Sequence, residues 1–255
     1  MSRLFVCAAL VLAAGTPRAG AQTGPFVELA GEFSPVTIGG RDVTWRLGRV
    51  AAGVVEEERF GWTASAERHQ RAALVDWTAS AAGFRRAGDW TLSGGGGGVT
   101  GAPDFLYRYS VEGELARRVA GSLVVHGGYR HLSFPDFSVQ IVQPAVSWYF
   151  PRGEVQARLF GVRHAARDRR SAAVLLRAAW GVHPRVRVGG GAAVGERIFD
   201  VAALSEGEAG GWVAFGHAAV RVAPRWHVDV GAGRAREADV FSGRTFSLGV
   251  RRTFR

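Results

Sequence analysis

The sequence predicts an all-β fold: a single closed, antiparallel, up-and-down transmembrane β-barrel of about 14 strands, with 12 as the other even number its segments allow. Three observations predict it. Apolar and polar residues alternate with a period of two from Phe26 onward, the spacing at which strand side chains change face. Connections between the alternating segments are by turns short and long, as in a barrel with two unlike rims. The eight tryptophans fall near segment ends, where an amphipathic indole favours a membrane interface.

The first residues read as an export signal. Arg3 precedes the apolar run Leu4 to Ala14, and small residues lead to Ala19-Gly20-Ala21. That is the order of a secretory signal peptide with an A-x-A-like cleavage site. The run is shorter than the ~17–25 residues a spanning helix needs. The expected division is therefore a cleaved signal at 1–21 and an outer-membrane barrel domain at 22–255. Cys7, the only cysteine, lies inside the signal and too early for a lipoprotein. The mature chain then has no disulfide scaffold, no thiol nucleophile and no zinc-thiolate site.

Composition excludes further classes. No later stretch approaches the ~18 uninterrupted apolar residues of a membrane helix. The 32 basic residues are all arginine and outnumber the 22 acidic ones, giving +10, or +8 once Arg3 and Arg18 leave with the signal. A basic balance is the footprint of nucleic-acid binders, but here the arginines are scattered singly or in pairs and export removes the chain from the genome. The expected partners are outer-membrane lipid and lipopolysaccharide, with the barrel-assembly machinery during insertion. No nucleic-acid partner, metal or cofactor is expected.

The segments run approximately 26–34, 43–51, 59–69, 73–82, 89–98, 106–116, 121–132, 138–150, 154–164, 171–182, 185–194, 211–222, 226–235 and 244–254. In the first, Val27, Leu29 and Phe33 oppose Glu28, Glu32 and Ser34. In the sixth, Tyr107, Tyr109, Val111 and Leu115 oppose Arg108, Ser110, Glu112 and Glu114. A helix would spread those charges around a rod, whereas a strand puts them on one face. The same parity assigns Arg46, Glu67, Asp76, Arg108, Glu112, Glu114, Arg130, Arg158, Arg177, Arg221, Asp229 and Arg251 to the lumen. Unpaired charges are costly at low dielectric, so arginine–carboxylate ladders are expected. Near Val142 to Pro144 the apolar parity switches, which predicts a β-bulge.

Connections after even-numbered segments are short, at Arg85-Arg86, Arg117-Arg118, Pro151-Arg152-Gly153, Pro184-Arg185 and Pro224-Arg225. The others tend to be longer, notably Ser34 to Asp42, Gly98 to Phe105, Gly195 to Gly210 and Arg236 to Gly243. Short periplasmic turns, long outer loops and two periplasmic termini follow. Trp62, Trp90, Trp148, Trp180 and Trp226 then form the periplasmic aromatic girdle, and Trp45, Trp77 and Trp212 the outer one. The last segment puts Phe246, Leu248, Val250 and Phe254 on one face, which resembles the C-terminal assembly signal of outer-membrane barrels. Arg252 stands where an apolar residue is usual, and Arg255 follows the terminal aromatic.

The stretch Gly128 to Phe150, with Gly39-Gly40-Arg41-Asp42 before Trp45, the Glu67-Arg68 pair and Arg244 to Phe254, resembles the YaiO-type outer-membrane β-barrel proteins. The resemblance spans essentially the whole mature chain. It implies an outer-membrane barrel and carries no catalytic residues.

Candidate chemistry is sparse. Gly94 to Gly98 has neither the lysine nor the following helix of a phosphate loop, and glycines let a barrel wall bend. His126 and His217 have lumen parity while His131 has the opposite one, so no converging zinc set is expected. Pairs such as Asp76 with His69, or His217 with a serine, have no distinguishing spacing. The leading expectation is a non-catalytic outer-membrane barrel with a structural or surface-interaction role. A narrow passive channel for small solutes is the alternative, and a membrane-embedded lipid or ester hydrolase the next.

Overall fold

A computed structural model describes residues 23–56, 59–165, 169–196, 210–238 and 241–254. The expected signal peptide and its cleavage point, most of the expected loop from Gly195 to Gly210, and Arg255 lie outside the described residues. The described chain forms β1 (Gly24–Ile38), β2 (Arg41–Glu56), β3 (Phe60–Arg71), β4 (Leu74–Ala87), β5 (Trp90–Val99), β6 (Tyr109–Ala120), β7 (Leu123–Ser133), β8 (Ser138–Phe150), β9 (Gly153–His164), β10 (Arg169–His183), β11 (Val186–Glu196), β12 (Gly210–Ala223), β13 (Trp226–Glu237) and β14 (Phe241–Thr253). Each strand pairs antiparallel with its chain neighbours, and β1 pairs with β14 to close the barrel. All fourteen expected strands are present, most of them longer than the alternation alone delimits.

Closure brings both ends of the described chain to one rim. Phe26 stands opposite Thr253, and the Phe254 N–H donates to the Pro25 carbonyl. This terminal rim carries the two-residue connections 88–89, 121–122, 151–152, 184–185 and 224–225. The opposite, loop rim carries 100–108 and 134–137. Register irregularities at Arg118/Ala120, Gly181/His183 and Arg221/Ala223 all sit beside tight terminal-rim turns, where a bulge adds the twist that a short hairpin needs.

The face rule holds around the barrel. Leu29, Val50, Val111, Val146, Leu159, Leu176, Val230 and Leu248 are exposed outward, and the opposite parity turns Glu28, Asp76, Ser147, Gln156 and Glu154 into a buried interior. The glycine run lies in β5, where Gly97 allows β4 to approach: a Cβ there would stand 2.6 Å from the Ala79 carbonyl oxygen.

Four local expectations are corrected. Ser34 to Asp42 is no loop, because β1 and β2 continue to the pair Ile38–Arg41 around Gly39 and Gly40, whose φ of 54° and 78° suits glycine. Arg85-Arg86 and Arg117-Arg118 lie in β4 and β6, and the turns are Gly88-Asp89 and Gly121-Ser122. No bulge interrupts β8, since Gly127 pairs with Pro144 in an unbroken register from Leu123–Trp148 to Ser133–Ser138. The parity switch there has another cause: Val139 and Ile141 face inward against Leu132 in an apolar lumen cluster. In β2 the faces are exchanged. Trp45 points into the lumen and is 9% exposed, while Arg46 points outward opposite Phe33. The reason is Arg49, deeper in the same strand, which faces inward toward Glu67. Outward arginine costs about 2–4 kcal/mol at the bilayer midplane and about 0–1 near the interface, so Arg46, nearer the rim, is the one placed outside.

Candidate functional site

The inward rows converge on two layers. At the loop rim the connection 100–108 folds into the barrel mouth, because Phe105 and Leu106 bury against Leu74 and Val99. Asp76 of β4 fixes it. Its Oδ1 accepts the Asp104 N–H at 2.9 Å, and its Oδ2 accepts those of Phe105 at 3.0 Å and Leu106 at 2.9 Å. Three backbone donors on one buried carboxylate form a charge-assisted clamp. Arg71 lies beside it, with its guanidinium 4.5 Å from the Trp45 ring and 4.6 Å from the Phe105 ring. Trp45 in turn stacks on Phe241 at 5.7 Å. On the other side of the connection, next to Tyr107, Phe134 stacks on Phe137 at 4.5 Å over Leu132 and Val139.

The other layer, nearer the terminal rim, is polar. Glu114 of β6 accepts from Nδ1 of His126 at 2.9 Å and pairs with Nη2 of Arg158 at 2.7 Å. His126 Nε2 lies 2.9 Å from Ser147 Oγ, which also accepts from the Gln156 amide at 2.7 Å. Arg158 donates onward to Gln143 at 3.1 Å. With a neutral ring whose Nδ1–H meets the carboxylate, Nε2 accepts the Ser147 hydroxyl proton, and every polar contact has one donor and one acceptor. Glu28 pairs with Arg251, and Glu154 with Arg187 at 3.4 Å.

The sequence-assigned lumen charges distribute as follows. Glu67 meets Arg49 at 3.6 Å and His69 at 3.0 Å, and Glu112 meets Arg130 at 3.6 Å. Glu114 pairs with Arg158, and Arg251 with Glu28. Asp76 holds backbone rather than arginine. Arg177 stands opposite Gln156, Arg221 opposite His227 and Asp229 opposite Ala219, all on inward rows. Arg108 precedes β6 at the loop rim, where its N–H donates to Ser133. Only Arg46 is on the wrong face.

Trp62, Trp77, Trp90, Trp148, Trp180, Trp212 and Trp226 are all outward and exposed, while Trp45 belongs to the lumen. Phe246, Leu248, Val250 and Phe254 share the outward row of the closing strand. Arg252 stands in that row with its guanidinium over the rings of Trp226 and Phe254, a contact that fits an arginine to an aromatic girdle.

Sequence reading missed the Glu114–His126–Ser147–Gln156 chain. Its members come from four adjacent strands, so no local spacing links them. Their shared inward parity was the available signal.

A closed antiparallel barrel with an apolar exterior and a charge-paired interior is a transmembrane β-barrel. The chain belongs to the YaiO membrane beta barrel domain family, whose model matches residues 37–190, more than half of its length. No curated protein matches it. Among solved structures it is similar to a Pseudomonas aeruginosa FadL homologue, at 9% identity and a TM-score of 0.59 over 91% of each chain. It is also similar to the outer membrane protein Omp33 of Acinetobacter baumannii, at 15% identity and 0.52 over 91% of this chain and 100% of that one. A third likeness is to the translocator domain of the autotransporter NalP from Neisseria meningitidis, at 14% identity and 0.50 over 92% and 90%. These likenesses establish the fold.

Proposed function

We propose that the protein is an integral outer-membrane barrel with a non-catalytic, structural or surface-interaction role. In this reading a cleaved signal at 1–21 exports it, the assembly machinery reads its last strand, the terminal rim faces the periplasm and the loop rim faces outward. The observation that carries the reading is the Asp76 clamp, which holds residues 104–106 inside the mouth through three backbone hydrogen bonds. Together with the paired charges below it, this favours a filled lumen over an open one. Purified protein in planar lipid bilayers tests it. A silent bilayer is expected, and stepwise conductance would favour a narrow passive channel instead.

A second reading has one observation in its favour. Ser147, His126 and Glu114 are joined in the order nucleophile, base and acid, the arrangement of an ester hydrolase. Against it, Ser147 is 1% exposed and its oxygen also takes the Gln156 amide, so a polar structural network is favoured. A fluorophosphonate probe on the folded protein decides between them. No label on Ser147 is expected, and labelling that disappears in His126→Ala would establish the hydrolase.

A further inference from the structure

The outward face at the loop rim carries arginines that no carboxylate ladder explains. Arg234 of β13 stands directly opposite Arg244 of β14, both exposed. Like charges directly opposite on one sheet face destabilise it, so this pair asks for an anion between its guanidinium groups. Two strands beyond the pair, across β1, Arg46 of β2 also points outward, and Arg68 of β3 follows. The level is set by aromatic residues. Arg68 is opposite Trp77, and Trp212 is opposite Arg236. Interfacial tryptophans lie at head-group depth, so the arginines do too. Phe33, directly opposite Arg46, pairs with Phe246, which stands two residues from Arg244 toward the membrane middle, on the same outward face, at 45% and 52% exposure. The patch thus sets outward arginines around an apolar pair.

We propose that this seam, from β13 across β14 and β1 to β3, binds a bisphosphorylated glycolipid of the outer leaflet. Arg234 and Arg244 take one phosphate, Arg46 and Arg68 the other, and the acyl chains lie on Phe33 and Phe246. Strands sit ~4.8 Å apart, so the midpoints of the two arginine groups, three strand spacings apart, are separated by roughly 14 Å, a span suited to two phosphates at opposite ends of a disaccharide. An anionic phospholipid with a compact head would reach one group only. The proposal rests on the outward orientation of the loop rim.

Native mass spectrometry of the purified barrel with lipid A, monophosphoryl lipid A and cardiolipin tests it. Lipid A is expected to bind most tightly. Arg234→Gln with Arg244→Gln should weaken it about thirtyfold, at about a tenfold factor for each 1.4 kcal/mol and roughly 1 kcal/mol per arginine. Arg85→Gln with Arg117→Gln, outward at the terminal rim, should leave binding unchanged, and heat-modified gel mobility shows that every variant is folded. Equal binding by the Arg234/Arg244 variant, equal affinity for monophosphoryl lipid A, or a preference for cardiolipin overturns the proposal. Orientation is read separately, by whether an impermeant maleimide labels Gly101→Cys on intact cells. Failure there overturns the outward reading and not the lipid titration.

Discussion

Along the inward row of β8, Val139 and Ile141 pack into an apolar cluster near the loop rim, while Ser147 near the other end joins a histidine, a carboxylate and an amide. The same contrast recurs elsewhere in the lumen, with Asp76 and Arg71 as buried polar groups within the loop-rim layer. Phe105, Leu106, Trp45 and Phe241 fill one end, and Glu114, Arg158, Glu154, Arg187, Glu28 and Arg251 the other. Both ends are buried inside one barrel, yet they are stabilised by different physics. Apolar packing is non-directional and tolerates rearrangement, whereas a buried ion pair is held only while each partner remains. A loop can therefore be folded into the apolar end, and the polar end relies on residues fixed in the strands themselves.

That contrast breaks most visibly in the polar layer. Arg158→Met leaves the Glu114 carboxylate with His126 alone and should cost about 3–5 kcal/mol, measured by urea unfolding of the barrel in lipid vesicles. The double change Glu114→Gln with Arg158→Met should cost less than the sum of the singles, because it removes both charges. In the apolar layer, Leu132→Ala should cost about 3 kcal/mol by opening a cavity beside Val139, in the same assay. Asp76→Asn loses one charged acceptor of the clamp and should cost about 2 kcal/mol. It should also raise proteolysis at residues 101–106 while the strands keep their circular dichroism. The smallest effect is expected at Arg46→Gln, which changes an outward rim residue and should shift stability by less than about 0.5 kcal/mol. A large effect there would mean that Arg46 is packed in the lumen after all.

The same contrast explains what could be read in the sequence. Strand number, order and most faces followed from alternation because the outward rows are apolar between the rims, as at Val27, Leu29 and Phe33. Alternation misled where the lumen itself turns apolar. Val139 and Ile141 look outward by composition but face Leu132, so a bulge was inferred where the register is unbroken. Trp45 misled in the same way, being an indole that stacks inside the mouth rather than at the interface. The depth of Arg49 relative to Arg46 held the correct answer for β2. The Glu114–His126–Ser147 chain was not legible, since its contacts cross strands and depend on registers that only closure fixes.

Tryptophan quenching by lipids brominated along their acyl chains tests the face assignment most directly. In reconstituted variants retaining only Trp148 or only Trp45, the outward Trp148 is predicted to be strongly quenched and the inward Trp45 to keep its emission. Equal quenching of the two indoles would contradict the account, because Trp45 would then stand in hydrocarbon and the lumen layer built around it would not exist.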